Sequence, residues 1–268
     1  MPQTYHHSFG HPAVPITLRR IDTDRPFVWL QAGWQDIKAN PIASIAYGLL
    51  FAVCGDIILL LAVPNPHLFT LAASGFFLVA PLLAAGLYEI SRRRERGQDT
   101  TFAESLAGWR RNGESIALFG LGLAMIGVFW ERLSAILFAL FYAGNGDVGM
   151  GIVAFMNTVV LSGDNIAFVS AWFLAGGILA LFTFALAAIS VPMLLDRDNE
   201  HGGDLVTAMM TSLRAVLLNL DTMFLWAMII VTLTLVGFVT LLFGLIVLMP
   251  LLGHASWHAY RDLVESET

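Results

Sequence analysis

The chain has 268 residues, 57% of them hydrophobic and only 13% charged, with a mean hydropathy of +0.73 and a formal net charge of −6. Soluble domains carry about 25% charged residues, so the composition excludes an ordinary soluble protein and leaves an integral membrane protein, long enough for about six spans of about 20 residues. The single cysteine, Cys54, lies in an apolar run; it excludes an internal disulfide and reads as a small packed hydrophobe.

Residues 1–26 are polar and contain no apolar stretch of the cleaved-signal type. His6, His7 and His11 lie in this tail as a loose cluster. Phe27 to Lys38 reads as a short amphipathic entry helix, with Trp29 and Trp34 suited to the headgroup layer. The first span is expected at Pro41 to Val63, followed by a turn at Pro64-Asn65-Pro66. The second runs Leu68 to Ile90 and stops at a run of arginines, and a polar loop covers residues 91–113. The third is Glu114 to Leu133. Residues 134–166 are apolar but broken at Gly144-Asn145-Gly146-Asp147 and Ser162-Gly163-Asp164-Asn165, which reads as interfacial or re-entrant helices on the outer side. The fourth span is Phe168 to Leu195, the fifth Val216 to Val236 and the sixth Val239 to Trp257, with a tight outer turn at Gly237.

The positive charge is sorted. All of the 14 Lys and Arg residues except Arg132 fall in the N-terminal tail, the 92–111 loop, the flanks of the 198–213 gap or the C-terminal tail. Lys and Arg are retained in cytoplasmic loops, so the pattern places both termini in the cytoplasm. The clusters read as topology determinants facing anionic lipid; nucleic acid is not an expected partner.

The chain reads as an all-α polytopic membrane protein built from three parallel two-helix repeats, about 27–97, 102–197 and 205–262, after a tail and entry helix at 1–40. The entries are Gly33-Trp34…Asn40, Gly108-Trp109…Ser115 and Ser212-Leu213…Asn219; the exits carry Pro81, Pro192 and Pro250. Each proline frees the carbonyl four residues back, at Phe77, Ala188 and Ile246. Those carbonyls either accompany simple kinks or line a polar site.

Asp56 is the clearest intramembrane charge, eight residues before Pro64 and so about 12 Å from the outer end of its helix. An ionisable group at depth is a functional candidate, and its expected partner is Arg132. His254 and His258, at i and i+4, share one helix face and suit two ligands of one metal. They do not suit the two axial positions of one haem, and the bland reading is interfacial anchoring beside Trp257, Tyr260 and Arg261. No nucleotide loop, zinc-protease motif or catalytic triad is present.

The string Pro250-Leu-Leu-Gly-His254-Ala-Ser-Trp257-His258-Ala-Tyr260-Arg261-Asp262, with Pro192-Met-Leu-Leu-Asp196-Arg197, resembles a family of bacterial integral membrane proteins catalogued as domain of unknown function 2189. The resemblance runs from about Arg19 onward. It implies a six-helix inner-membrane protein and no established activity. Members sometimes carry a label linking them to a cytochrome oxidase subunit. The catalytic sense of that label does not fit here, because a haem–copper subunit needs about twice as many spans and several intramembrane histidines.

These features lead to an expectation of a non-enzymatic accessory or scaffold subunit of a membrane complex, with a respiratory complex as the host that the label implies. Its partners are membrane lipids and other subunits or itself, and it needs no cofactor beyond bound lipid. The alternatives are a small-solute transporter or channel using Asp56, Asn157 or Asn165 and the three freed carbonyls, and a metal- or haem-handling protein centred on His254 and His258.

Overall fold

A computed structural model of the chain describes residues 16–62, 83–142, 157, 161–197 and 203–265. Among these residues helix is the regular structure, apart from an isolated antiparallel bridge between Leu18 and Val264. The helices are α1 (Arg25–Ala39), α2 (Pro41–Ala62), α3 (83–95), α4 (Phe102–Ser105), α5 (Gly108–Arg111), α6 (Gly113–Tyr142), α7 (Ile166–Ala187), α8 (Ser190–Asp196), α9 (Leu205–Leu218), α10 (Leu220–Val239) and α11 (Leu245–Leu263).

Four helical stretches among the described residues are long and apolar enough to cross a membrane: α2, α6, α7 with its continuation α8, and α10. The expected second span, with Pro81 and the Phe77 carbonyl, falls largely outside the described residues. The expected sixth span is not one of the four. Its helix starts at Leu245 rather than Val239 and runs on through the polar stretch to Leu263.

Several boundaries differ from the sequence reading. The third span does not stop at Leu133; Ser134 to Tyr142 continue α6 as one helix of 30 residues, since nothing there breaks the backbone ladder. Residues 143–156 and 158–160 of the expected outer insertion lie outside the described residues. The fifth span starts at Leu220, because Val216 still belongs to α9. The turn after it falls on residues 240–244, where Leu241 and Leu242 take positive φ of 53° and 66°. Gly237 is instead a crossing point, since a Cβ there would overlap the Leu245 side chain.

The fourth span is not one helix. Ile189 leaves helical geometry at φ −127°, ψ 0° and separates α7 from α8. Ser212 of α9 repairs the gap: its hydroxyl accepts from the Ile189 N–H at 3.3 Å and donates to the Ala185 carbonyl at 2.8 Å. Pro192 is thus the third residue of a new helix, where a missing N–H costs little. It does not open the Ala188 carbonyl of a continuous helix. Pro250 is different, lying inside α11. The Ile246 carbonyl that it frees faces Gly48 of α2, where a Cβ would overlap it.

Three asparagines join a shorter helix to a longer one. Asn40 (φ −128°, ψ 61°), Asn112 (−147°, 46°) and Asn219 (−129°, 45°) leave helical geometry in the same way. Each carbonyl then accepts from the N–H four residues on, at Ser44 (3.1 Å), Ile116 (3.1 Å) and Met223 (2.9 Å), and so starts the next helix. In the middle segment the joint is Asn112 and not the expected Ser115.

The core gathers at the end of the bundle that carries these joints. α1 packs along α11, and α11 packs on α2. Trp29 meets Trp226 edge-on at 5.5 Å, and both are buried with Trp257 and Tyr260. Trp29 is therefore a core residue, not the headgroup anchor expected of it, while Trp34 is exposed.

Candidate functional site

The buried face of α1 presents Trp29, Gly33, Asp36 and Ile37 at helical spacing. Gly33 allows the close approach: a Cβ there would lie 2.9 Å from the Ala255 nitrogen and 3.0 Å from the Leu251 oxygen of α11. That contact carries Asp36 into the bundle, where it is 1% exposed.

Helices α3 and α11 contact this carboxylate, and α2 joins them through His254. Ser91 Oγ of α3 donates to Oδ2 at 2.5 Å, and His258 Nε2 of α11 donates to the same oxygen at 2.9 Å. Arg94 Nη1 of α3 pairs with Oδ1. His254 Nδ1 lies 3.8 Å from Oδ2 and reaches it through Ser91, whose Oγ is 2.7 Å from that nitrogen. On its other side, His254 Nε2 is 2.9 Å from Ser44 Oγ of α2.

The proton arrangement follows. Ser91 has one hydroxyl proton and gives it to Asp36, so His254 Nδ1–H donates to Ser91. Nε2 is then the acceptor, and Ser44 donates to it. This is a neutral imidazole between two hydroxyls. Burial pushes the His254 imidazole down, from 6.5 to about 4. Burial alone would push the Asp36 carboxyl up. The His258 hydrogen bond, the charge that His254 and His258 can carry and the Ser91 hydroxyl outweigh it and hold Asp36 to about 2.

The network extends outward. Glu95 Oε1 accepts from Trp257 Nε1 at 3.0 Å and lies 3.9 Å from His258 Nδ1, while Glu95 Oε2 pairs with Arg261 at 3.2 Å. Asp196 of α8 accepts from Tyr260 Oη at 3.0 Å. Asp262 holds Arg25 at 2.6 Å and Trp29 Nε1 at 2.9 Å. Glu89 takes Arg92 at 2.8 and 2.9 Å and Arg93 at 2.7 Å. The chemistry this supports is cohesion: charges and hydroxyls bind α1, α2, α3 and α11 to one another, with hydrogen-bond partners supplied inside the protein.

The structure brings His254 and His258 together, on Asp36, and both ring nitrogens of His254 are engaged by serines. Among the described residues no three His, Cys, Asp or Glu side chains are placed to hold one metal ion. Asp56 and Arg132 are not brought together as a pair. Arg132 is exposed and pairs with its neighbour Glu131 at 3.1 Å. Asp56 is exposed on α2 and has no hydrogen-bond or ion-pair partner among the described residues. Pro192 and Pro250 serve the helix break and the helix crossing described above.

Sequence reasoning missed Asp36, Ser91, Ser44, Arg94 and Glu95. A signal for Asp36 was available: it falls on the same helical stripe as Trp29, Gly33 and Ile37. Nothing local marks Ser44 or Ser91, whose roles depend on helices that meet only in three dimensions.

Four helical stretches able to cross a membrane, with apolar side chains exposed along their lengths, define an integral membrane protein. Residues 68–196 match the family model described as "Predicted integral membrane protein (DUF2189)", which bears out the family resemblance over that stretch. The match includes the Pro192 to Asp196 string and ends before the string that begins at Pro250. No curated protein and no solved structure matches the chain.

Proposed function

We propose that the protein is a non-catalytic accessory or scaffold subunit of a membrane complex in a bacterial inner membrane, with a respiratory complex as the candidate host. Both termini lie in the cytoplasm, and the three asparagine joints open three parallel two-helix units. The observation that carries the scaffold reading is the state of α6. From Leu121 to Phe141 none of its residues is buried within the chain. Its neighbour α7 buries only Phe168. The two hold each other through Trp130 and Trp172 (5.3 Å), Phe138 and Phe168 (5.8 Å) and a hydrogen bond from Trp172 to Ser134 at 3.0 Å. The open side of this pair includes Gly122 and Gly177, where an added Cβ would meet nothing within 4 Å. Small residues let membrane helices approach closely, so the fitting occupant is a transmembrane helix of another subunit.

The transporter and metal-handling alternatives draw less support. Among the described residues Asp56 has no hydrogen-bond or ion-pair partner, the Ile246 carbonyl faces a glycine, and His254 is occupied by serines.

Gentle detergent extraction at native expression, followed by mass spectrometry, tests the reading. Other membrane subunits should co-purify in fixed ratio. Gly122→Leu should release them without lowering the melting temperature of the isolated chain. Recovery of the chain as a lone monomer would overturn the proposal.

A further inference from the structure

We infer that α1 and α9, with the short turn of α5, form a collar that seats in the phospholipid headgroup layer and takes anionic headgroups. The inference rests on the membrane location and not on the scaffold reading.

Counting back from the joint asparagine, α1 and α9 expose the same positions. Two, six, nine and thirteen residues before Asn40 stand Lys38, Trp34, Gln31 and Phe27, all exposed. At the same offsets before Asn219 stand Leu217, Leu213, Met210 and Val206, exposed except for half-buried Leu213. Their opposite faces also correspond. Seven residues before each joint a small side chain meets two backbone groups four apart on another helix: Gly33 on Leu251 and Ala255, Ser212 on Ala185 and Ile189. Gly108 makes a similar approach, where a Cβ would lie 3.2 Å from the Ala85 oxygen and 3.1 Å from Glu89 Cβ. Both longer helices thus have one side fixed to the bundle and the other free.

Two observations identify what covers the free side. The first is continuity. The α9 stripe leads through Asn219 into Leu220, Phe224, Met228, Val231 and Leu235, the exposed apolar side of a crossing helix. The α1 stripe leads through Asn40 into Ile42, Leu49, Val53 and Leu60 of α2. Both stripes therefore begin where the hydrocarbon-facing surface ends. The second is charge. Lys38 and Arg110 each stand two residues before their asparagine, and both are exposed, as is Arg214 on α9. Lys38 Nζ sits over the Trp34 ring at 5.6 Å. Apolar stripe, half-wet aromatic and flanking cation are the combination that headgroup layers select, and the cations favour anionic lipid.

The test uses the full chain in nanodiscs of phosphatidylcholine alone or mixed with phosphatidylglycerol. Nitroxide labels are placed at Phe27→Cys and Val206→Cys on a Cys54→Ala background that melts like the parent. Both labels should report headgroup depth. Native mass spectrometry of the otherwise unaltered chain should show retained phosphatidylglycerol. Each neutralisation among Lys38→Gln, Arg110→Gln and Arg214→Gln should lower that retention about fivefold, the equivalent of about 1 kcal/mol per cation. Labels at bulk-water depth, or unchanged retention in the triple variant, would overturn the inference. Loss of a co-purifying subunit would bear on the scaffold reading alone.

Discussion

Replacing Asp36 by asparagine removes a charge from an enclosed polar position. The carboxylate accepts from Ser91 at 2.5 Å and His258 at 2.9 Å, and it pairs with Arg94. The amide keeps the shape but gives Arg94 no counter-charge and turns a donor toward other donors. Held to about 2 against an ordinary 3.8, the ionised group contributes about 2.5 kcal/mol to folding at neutral pH, at ~1.4 kcal/mol per pH unit. A carboxylate with a depressed folded value stabilises fully above its unfolded value, so this contribution is whole above about pH 4 and is lost as pH falls through about 2. In a chain of this size 1 kcal/mol shifts the melting temperature by roughly 2–4 °C. Asp36→Asn should therefore melt about 5–10 °C below the parent at pH 7. Asp36→Ala, which leaves Arg94 and His258 facing an uncharged cavity, should cost about 3–5 kcal/mol. Intrinsic tryptophan fluorescence during heating in mild detergent measures both. A deficit under about 1 °C at pH 7, or a gap that does not narrow between pH 4 and pH 2, would refute the assignment of Asp36 as the ionised centre of the network.

Two further outcomes follow from the same geometry. A buried imidazole with a depressed value stabilises fully above its unfolded value, so stability should fall as pH drops from 6.5 toward about 4. His254→Gln should flatten that slope in the same melting assay, and a parent-like slope in the variant would count against a neutral buried His254. Gly48→Ala should destabilise by about 1–3 kcal/mol, because its Cβ overlaps the Ile246 carbonyl, a backbone atom that cannot swing aside. Gly122→Ala is the open-space control, and equal losses in the two variants would refute the crossing as described.

The legible part of this protein was whatever depends on local sequence. Long apolar runs located four crossing segments, and the polar stretches located the joints to within a few residues. The misreadings share a physical origin. The α7–α8 break is invisible in a run from Phe168 to Leu195 because its cause, the hydroxyl of Ser212, arrives from 23 residues away in sequence. Conformational freedom points to Gly237 for the turn after α10, yet two leucines take the left-handed backbone and the glycine serves contact instead. Arg132 stands out in the sequence as the cation of the outer half, but it pairs with its own chain neighbour Glu131. Asp36 was overlooked because an acid on an amphipathic helix reads as solvent-facing unless the stripe of Trp29, Gly33 and Ile37 is followed through it. The shared face of His254 and His258 is legible at i and i+4, but the partner, Asp36, comes from another helix.

The stitching of α1 to α11 has a consequence for biogenesis. Leu18 bridges to Val264, Arg19 donates to the Leu263 carbonyl, and Asp262 holds Arg25 and Trp29. α1 leaves the ribosome more than two hundred residues before the helix that completes it. Throughout that interval Asp36 lacks both histidines and Trp29 lacks its acceptor. The crossing helices must therefore enter the bilayer while the element that will close the bundle is still waiting at its rim. The contact that joins the earliest-made of these helices to the last is a long-range one, of the kind that makes closure slow.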